Sequence, residues 1–231
     1  MPTLLLVRHG RTPANAEGIL AGRTPGVHLD DVGREQASRV GRRLAELPIT
    51  ALVTSPLERA VETAKLLAQE LRDPPRLTRD KGFVECSYGT WTGRPLKELA
   101  KESLWSTVQS QPSAARFPDG ESLTQMYARA VAAVRTWDAR IAEEHGSDAL
   151  WVTVSHGDVI KAIVADAYGM HLDSFQRIMV GPGSLSVIQH TTVRPYVAHV
   201  NDTGSDLSWL KPPARRRRRK RSSDAVVGGG A

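Results

Sequence analysis

Three short, continuous apolar runs set the strongest limit on the fold. They cover residues 3–7, 49–53 and 150–154. An apolar run of this length without polar alternation is typical of a strand covered on both faces, as in a parallel sheet between two layers of helices. Two later strands are predicted at residues 185–190 and 196–200.

Helical patterns lie between these strands. Small or apolar side chains recur at helical spacing in residues 31–47, and a capping pattern at Ser55 with Pro56 predicts a second helix. A third helix is predicted after a capping pattern at Ser122, and a fourth over residues 159–168. Alternating strands and helices predict an α/β fold, a three-layer, doubly wound, mostly parallel sheet with helices on both faces.

The net positive charge of the chain comes from its carboxyl end. The formal net charge is +6, and residues 214–231 hold seven basic residues and one acid, so the rest of the chain is neutral. This composition predicts a domain over residues 1–211, with an irregular excursion at 72–120, and a disordered basic tail over residues 212–231. A nucleic-acid partner is not expected, except for weak binding through that tail.

The sequence does not favour a membrane or secreted protein. No apolar run approaches the roughly 18 residues that a membrane span needs, and the apolar start is too short for a secretory signal. Cys86 is the only cysteine, so no internal disulfide can form and no thiolate cluster can bind zinc. We therefore expect a cytoplasmic protein without a metal or another cofactor, and a homodimer stays open.

Two histidines occupy nearly the same local setting. The sequences VRHG at residues 7–10 and VSHG at residues 154–157 each follow a predicted buried strand. Ligands collect at the carboxyl ends of strands in doubly wound sheets, so the two corners can face each other if their strands are neighbours. A single histidine at a strand end is more often a packing residue, and the duplicated setting is what points to a site.

Two arginines predict that this site binds an anion. Arg59 lies in the first turn of a predicted helix, where the macrodipole disfavours a cation unless an anion lies between them. A side chain turned outward to solvent is the alternative interpretation. Arg8 is a planar donor next to a buried strand, where an unpaired charge is costly. Both guanidinium groups suit the oxygens of a phosphate.

The residue types also suggest catalytic roles. His9 is the predicted nucleophile, because nearby cations lower the pKa of its ring and favour the neutral, attacking form. His156 is predicted to donate to the phosphoryl oxygens. Glu85 lies among apolar and aromatic neighbours that should raise its pKa, which suits a proton donor. Three other acids are weaker candidates for this role: Asp119, Glu121 and Asp158.

Five segments of the chain, taken in order, form a further pattern. They are residues 6–10 with Thr12 and Asn15, Leu29 with Gly33, Gln36 and Ala37, residues 55–57 with Arg59, Ala60, Thr63 and Ala64, Glu85 with Gly89, Trp91 and Gly93, and residues 154–157. Together these segments resemble the histidine phosphatases of the phosphoglycerate mutase-like superfamily. The resemblance extends over residues 3–200. One departure is Arg11, where many members of the superfamily carry a glutamate.

The resemblance implies a metal-independent, acid-type phosphatase that acts on a small phosphorylated substrate. It implies a phosphohistidine intermediate on His9, with Glu85 as the proton donor. The implied catalytic residues are His9, Glu85, Arg8, Arg59 and His156. The implied substrate-binding residues are Arg8, Thr12, Asn15, Arg59, His156 and Gly157.

Three other functions stay open. A phosphoglycerate-type phosphomutase is less favoured, because the region after Trp91 lacks a paired-arginine block and residues 117–122 resemble the phosphatase branch. A metallophosphatase that uses the two histidines with Glu85 and Asp158 lacks tight ligand spacing. A module that binds a phosphorylated ligand without turning it over would use the same residues as the phosphatase.

Overall fold

A six-stranded sheet organises the computed structural model, which describes residues 1–204. Its strands are β1 (Thr3–Arg8), β2 (Ile49–Thr54), β3 (Leu77–Arg79), β4 (Leu150–Ser155), β5 (Leu185–Gln189) and β6 (Tyr196–Asp202). They lie in the order β3-β2-β4-β1-β5-β6. The first four strands in this order are parallel, and β5 and β6 are added in antiparallel pairing. The predicted mostly parallel sheet is confirmed.

Helices cover both faces of this sheet. The α-helices of the described residues are α1 (Pro13–Glu17), α2 (Asp31–Leu44), α3 (Glu58–Glu70), α4 (Leu96–Leu99), α5 (Ser103–Ser110), α6 (Leu123–His145) and α7 (Gly157–Ala167). Short 3₁₀ helices cover Lys81–Phe83, Gly89–Trp91, Pro112–Ala114 and Leu172–Arg177. Apolar residues of α2 and α3 pack on one face of the sheet and those of α6 and α7 on the other. The predicted three layers are therefore present.

Strand β1 shows why the apolar runs are unbroken. Successive side chains of a strand point to opposite faces. Leu4 and Leu6 belong to the core that contains α6 and α7, whereas Leu5 and Val7 belong to the core that contains α2 and α3. Both faces of the strand are buried in protein, so no position along it favours a polar residue.

The start of α3 differs from the prediction. The helix begins at Glu58 with Leu57 as its N-cap, so Ser55 and Pro56 precede it. The Ser55 hydroxyl instead contacts Nε2 of His156 at 2.7 Å. A tertiary partner thus replaces the local capping role that the sequence pattern suggested.

Other predicted boundaries agree with the structure to different degrees. Helix α2 ends at Leu44 rather than at residue 47. The capping box at Ser122 is present and opens α6. The stretch over residues 72–120 is less irregular than predicted, because it contains β3, α4 and α5 besides three 3₁₀ helices. These elements are short, and apolar periodicity is weak in segments of so few residues.

Two predictions concern the end of the chain and the membrane. The predicted domain boundary at residue 211 and the basic tail over residues 212–231 lie outside the described residues. Among the helices of residues 1–204, none combines the length and the apolar character that a membrane crossing requires.

Candidate active site

The two histidine corners meet at the carboxyl end of the sheet. Strands β1 and β4 are parallel neighbours, and Arg8 pairs with Ser155 at their ends. The backbone N–H of His9 donates to the carbonyl of Ser155 at 3.0 Å. The ring centroids of His9 and His156 are 5.2 Å apart, and both side chains are buried. The predicted meeting of the two corners is confirmed.

Gly10 fixes the first corner by allowing close packing. A Cβ atom on Gly10 would lie 2.2 Å from the carbonyl oxygen of Gly33 in α2, and one on Gly33 would lie 2.0 Å from the carbonyl oxygen of Arg11. The N–H of Gly10 also donates to Oγ1 of Thr63 in α3 at 3.0 Å. The corner is thus held between two helices, and the glycines let those backbones meet.

The tautomer of His9 follows from its two ring contacts. Nδ1 lies 2.8 Å from the carbonyl oxygen of Gly10, which can only accept, so Nδ1 carries the proton. Nε2 is then unprotonated, and it accepts from Nε of Arg59 at 3.3 Å. Burial above all, and then Arg59 and Arg8, hold the pKa of His9 well below 6.5. The sequence predicted a neutral ring, but burial is a larger cause than the cations.

Arg59 points into the protein and not to solvent. Its side chain is buried although it is the second residue of α3. Nη2 donates to the carbonyl of Gly22 at 2.7 Å. Nη1 is buried and has no hydrogen-bond partner within the described part of the chain. The outward alternative is therefore wrong, and one buried N–H edge can still bind an oxyanion.

His156 presents its ring differently from His9. Nε2 contacts Oγ of Ser55, and the buried Nδ1 has no hydrogen-bond partner among residues 1–204. Burial is the first cause that holds the pKa of His156 well below 6.5, followed by Arg59. Sequence reasoning missed Ser55 as the residue that holds this ring, because its position before a helix favoured the capping interpretation.

Arg8 is buried beneath the same corner. Its side chain is fully buried, and Nη1 donates to the carbonyl of Val180 at 2.6 Å. Burial lowers the pKa of Arg8 to about 10, whereas Glu85 and Asp158 act in the opposite direction. The guanidinium group therefore stays charged at neutral pH.

Glu85 is buried in the same cluster of charges. Its Oε1 accepts the backbone N–H of Cys86 at 2.9 Å. Burial, and next the charge of Asp158, raise the pKa of Glu85 to about 7, although Arg59 and Arg8 lower it. The raised pKa agrees with the sequence prediction, and the contribution of Asp158 was not anticipated.

Two arginines hold the backbone of Glu85. Nε of Arg23 and Nη2 of Arg129 donate to the Glu85 carbonyl at 2.7 and 3.1 Å. Glu121 accepts from both guanidinium groups and from the N–H of Ser87. Glu121, a weaker candidate for the proton donor, is therefore committed to these contacts. Sequence reasoning missed Arg23 and Arg129, because no local pattern links them to Glu85.

The model of the histidine phosphatase superfamily (branch 1) matches residues 4–203. The chain belongs to this superfamily. Its fold is the phosphoglycerate mutase-like α/β fold that the sequence predicted, and the family assignment supports phosphomonoester hydrolysis.

Both phosphatases and mutases are found among the relatives of this histidine phosphatase. It is 34% identical over 164 residues to "Phosphoglycerate mutase-like protein 4" of Arabidopsis thaliana, covering 69% of this chain and 68% of that protein. It is 30% identical to "Probable phosphoglycerate mutase GpmB" of Erwinia tasmaniensis, covering 91% and 96%. The crystal structure of the alpha-ribazole phosphatase from Shigella flexneri matches with a TM-score of 0.73 and 27% identity, covering 87% and 96%.

Other predicted substrate-binding residues of this histidine phosphatase lie near the corners in sequence. Thr12 and Asn15 form the reciprocal capping box of α1, with Thr12 Oγ1 2.9 Å from Asn15 Oδ1. Gly157 is the buried first residue of α7. Arg11, at the position that departs from the superfamily, pairs with Asp30 at 2.7 Å. The substrate contacts of Thr12, Asn15 and Gly157 stay predictions.

The remaining candidates for the acid and for a metal site can also be located. Asp119 is exposed, whereas Asp158 is fully buried. Within residues 1–204, no group of three or more His, Cys, Asp or Glu side chains is arranged to hold a metal ion. The four ligands considered for a metallophosphatase therefore do not form such a group.

Proposed function

We propose that this histidine phosphatase is a metal-independent, acid-type enzyme that hydrolyses a small phosphomonoester through a phosphohistidine on His9. One observation carries the proposal. The unprotonated Nε2 of the buried His9 lies 3.3 Å from Nε of Arg59, and the His9 ring is 5.2 Å from the ring of His156. An uncharged nucleophile thus lies among donors that suit phosphoryl oxygens.

In the first step, the lone pair of His9 Nε2 attacks phosphorus. The N–P bond forms, the P–O ester bond breaks, and Glu85 gives its proton to the leaving oxygen. Arg8, Arg59 and His156 hold the three other oxygens, where negative charge spreads in the transition state. The bond from His9 Nδ1 to the Gly10 carbonyl keeps the ring aimed during the attack.

In the second step, water replaces the histidine. Glu85, now ionised, takes a proton from a water molecule that attacks the phosphohistidine. The N–P bond breaks, inorganic phosphate leaves, and His9 returns to its neutral form. Both steps use the same acid, which starts and ends the cycle protonated.

The buried charges support a dianionic substrate. When Glu85 is protonated, the cations Arg8, Arg59 and Lys161 and the carboxylate of Asp158 give a net charge of +2. A phosphomonoester dianion brings an opposite charge of equal size. Pairing buried charges removes the large cost of leaving them uncompensated, so the dianion should bind more tightly than a monoanion.

The test is a labelling experiment. We expect incubation with a ³²P-phosphomonoester to give an acid-labile, alkali-stable label on His9, and turnover that a chelator does not change. A chelator-sensitive turnover would refute metal independence. Specific binding of phosphate without label or turnover would favour the module that only binds a phosphorylated ligand.

A mutase is the second candidate, because two curated relatives carry mutase names. It predicts that 3-phosphoglycerate is converted to 2-phosphoglycerate faster than inorganic phosphate is released. A panel of phosphoglycerates, sugar phosphates and phosphoproteins separates the two activities and identifies the substrate class.

The cellular setting stays a prediction. We expect a cytoplasmic enzyme, and size-exclusion chromatography would show whether it forms a homodimer. Weak nucleic-acid binding through the basic residues 215–221 predicts a steep salt dependence that truncation after Pro213 abolishes. Equal binding by the truncated protein would contradict a role for the tail.

A further inference from the structure

A buried ion pair lies in the helix that follows His156. Asp158 and Lys161 are 0% and 1% exposed, and Oδ1 and Nζ are 3.5 Å apart. The Tyr88 hydroxyl donates to Asp158 Oδ2 at 2.8 Å, and Lys161 Nζ donates to Gln176 Oε1 at 3.0 Å. Burying such a pair costs much of what its attraction returns, and well-packed apolar residues often stabilise a fold as well or better. Stability alone is therefore a weak explanation for this pair.

The ion pair connects two parts of the active site. Tyr88 follows Glu85 by three residues, and Asp158 follows His156 by two. The hydrogen bond between Tyr88 and Asp158 thus ties the segment of the proton donor to the helix of the second histidine. Tyr88 is itself fully buried and packs edge-on against Phe117 with ring centroids 5.0 Å apart, which fixes the hydroxyl.

Asp158 and the nearby arginines have opposite effects on the pKa of Glu85. The negative charge of Asp158 raises the pKa of Glu85, second only to burial, whereas Arg59 and Arg8 lower it. Lys161 stands beside Asp158 and partly offsets its field. The charged or titratable groups around Glu85 come from several elements: Arg8 of β1, Arg59 of α3, Asp158 and Lys161 of α7, Tyr88 and Cys86 of its own segment, His9 and His156, and Arg23 and Arg129 at its carbonyl.

We propose that Asp158 is a positioning residue for the proton-donor step: a buried carboxylate, paired with Lys161 and hydrogen-bonded by Tyr88, that ties the segment of Glu85 to the helix of His156 and acts on the Glu85 carboxyl through its charge. The inference rests on the proposed function, because it assumes that Glu85 protonates the leaving oxygen. Two nearby guanidinium groups would otherwise favour ionised Glu85, which has no proton to give.

The first test replaces Asp158 with Asn, which is nearly the same size and uncharged. We measure kcat/KM against pH for an alkyl phosphomonoester, glycerol phosphate, and for p-nitrophenyl phosphate. In the wild type, the alkaline limb for the alkyl substrate should lie near the Glu85 pKa of about 7. In D158N this limb should move to lower pH by roughly one unit. At pH values above both limbs, kcat/KM of D158N should then be about tenfold lower than that of the wild type.

Comparing the two substrates distinguishes a positioning role of Asp158 from a general loss of active-site structure. The p-nitrophenolate group leaves without a proton, so D158N should lose much less activity on the aryl ester than on the alkyl ester. A merely structural role would reduce both activities in parallel and would leave the limb where it is. Equal losses with an unmoved limb would overturn the proposal.

A second variant tests the same electrostatic effect if D158N does not fold. Lys161→Met removes the cation that offsets Asp158, so the alkaline limb should move to higher pH, opposite in sign to D158N. Lys161→Arg keeps the charge and is the matched control, with the limb expected to stay in place. An unmoved limb in K161M, or a shift of the same sign as in D158N, would also overturn the proposal.

Glu85→Gln distinguishes a failure of the proposed function from a failure of the role of Asp158 alone. If the proposed function is right, E85Q loses the alkaline limb for the alkyl substrate, and the double variant E85Q/D158N shows no further pH shift. If wild-type protein has no turnover, or E85Q keeps the limb, the assignment of Glu85 fails. If E85Q removes the limb but D158N leaves it unmoved, only the role of Asp158 is refuted.

Discussion

The two histidine corners arise from nearly the same four residues but differ in their contacts. At His9, Nδ1 contacts the Gly10 carbonyl and Nε2 faces Arg59. At His156, Nε2 contacts the Ser55 hydroxyl, and Nδ1 has no hydrogen-bond partner in the described part of the chain. The local motif therefore sets where each ring lies, and its tertiary partners set which nitrogen is available.

This difference explains why one ring suits attack and the other suits binding. A carbonyl only accepts, so it fixes the proton of His9 on Nδ1 and leaves a lone pair on Nε2. A hydroxyl can donate or accept, so Ser55 leaves the tautomer of His156 adjustable and lets Nδ1 carry a proton toward an oxyanion. The comparison predicts unequal effects when the two corners are altered.

The largest effect is expected for His9→Ala. Loss of the nucleophile should lower kcat by a factor on the order of 10⁴ to 10⁶ and abolish the phosphohistidine label. Quench-flow labelling and steady-state turnover check both outcomes. A variant that still forms an acid-labile label would show that the nucleophile is another residue, with His156 the first to examine.

His156→Ala should have a smaller effect on chemistry. Loss of one oxyanion donor is expected to lower kcat by a factor on the order of 10² to 10³, with His9 still labelled. Single-turnover formation of the phosphoenzyme measures this step directly. If His156→Ala removes the label and His9→Ala retains it, the two assigned roles must be exchanged.

Thr63→Val weakens the support of the His9 corner without removing either ring. It leaves the buried N–H of Gly10 without the Thr63 acceptor that it uses at 3.0 Å. We expect the free energy of unfolding to fall by about 1–3 kcal/mol, measured by denaturant titration. Thr63→Ser retains the hydroxyl and is the control. Equal stability of T63V and T63S would mean that this hydrogen bond contributes little.

Ser55→Ala should give the smallest effect, confined to the His156 corner. The substitution removes the contact with His156 Nε2 and the longer bond from the Leu57 N–H at 3.3 Å. Losing the ring contact, worth about 1 kcal/mol, should lower kcat roughly fivefold. The pH dependence set by Glu85 should stay unchanged, with kcat/KM falling as pH rises above about 7, because the protonated acid is then lost. Rescue by Ser55→Thr and an intact His9 label would support this assignment. A shifted alkaline limb would contradict it.

The paired corners could be predicted because their signals are local. An unbroken apolar run followed by His-Gly places a histidine at the end of a buried strand, and two such runs suggest neighbouring strands. The raised pKa of Glu85 was also predictable from its apolar neighbours. Arg59 could be suspected from its unfavourable position near a helix start.

The hydrogen bonds that hold the site residues in place could not be predicted in the same way. Arg23 and Arg129 contact Glu85 over sequence separations of 62 and 44 residues, and Tyr88 contacts Asp158 over 70. Ser55 gave a misleading signal, because its spacing fits a capping box although its partner is His156. Single-sequence patterns report helix and strand periodicity and carry no information about contacts of this kind.

The sequence by itself determined the layered α/β fold, the placement of both histidines at strand ends and the family resemblance, because each depends on short-range spacing. Only the tertiary structure decided the tautomer of His9, the inward turn of Arg59 and the charges that surround Glu85. The physical reason is that burial and electrostatic interactions act through space, between groups that folding brings within a few ångströms of each other.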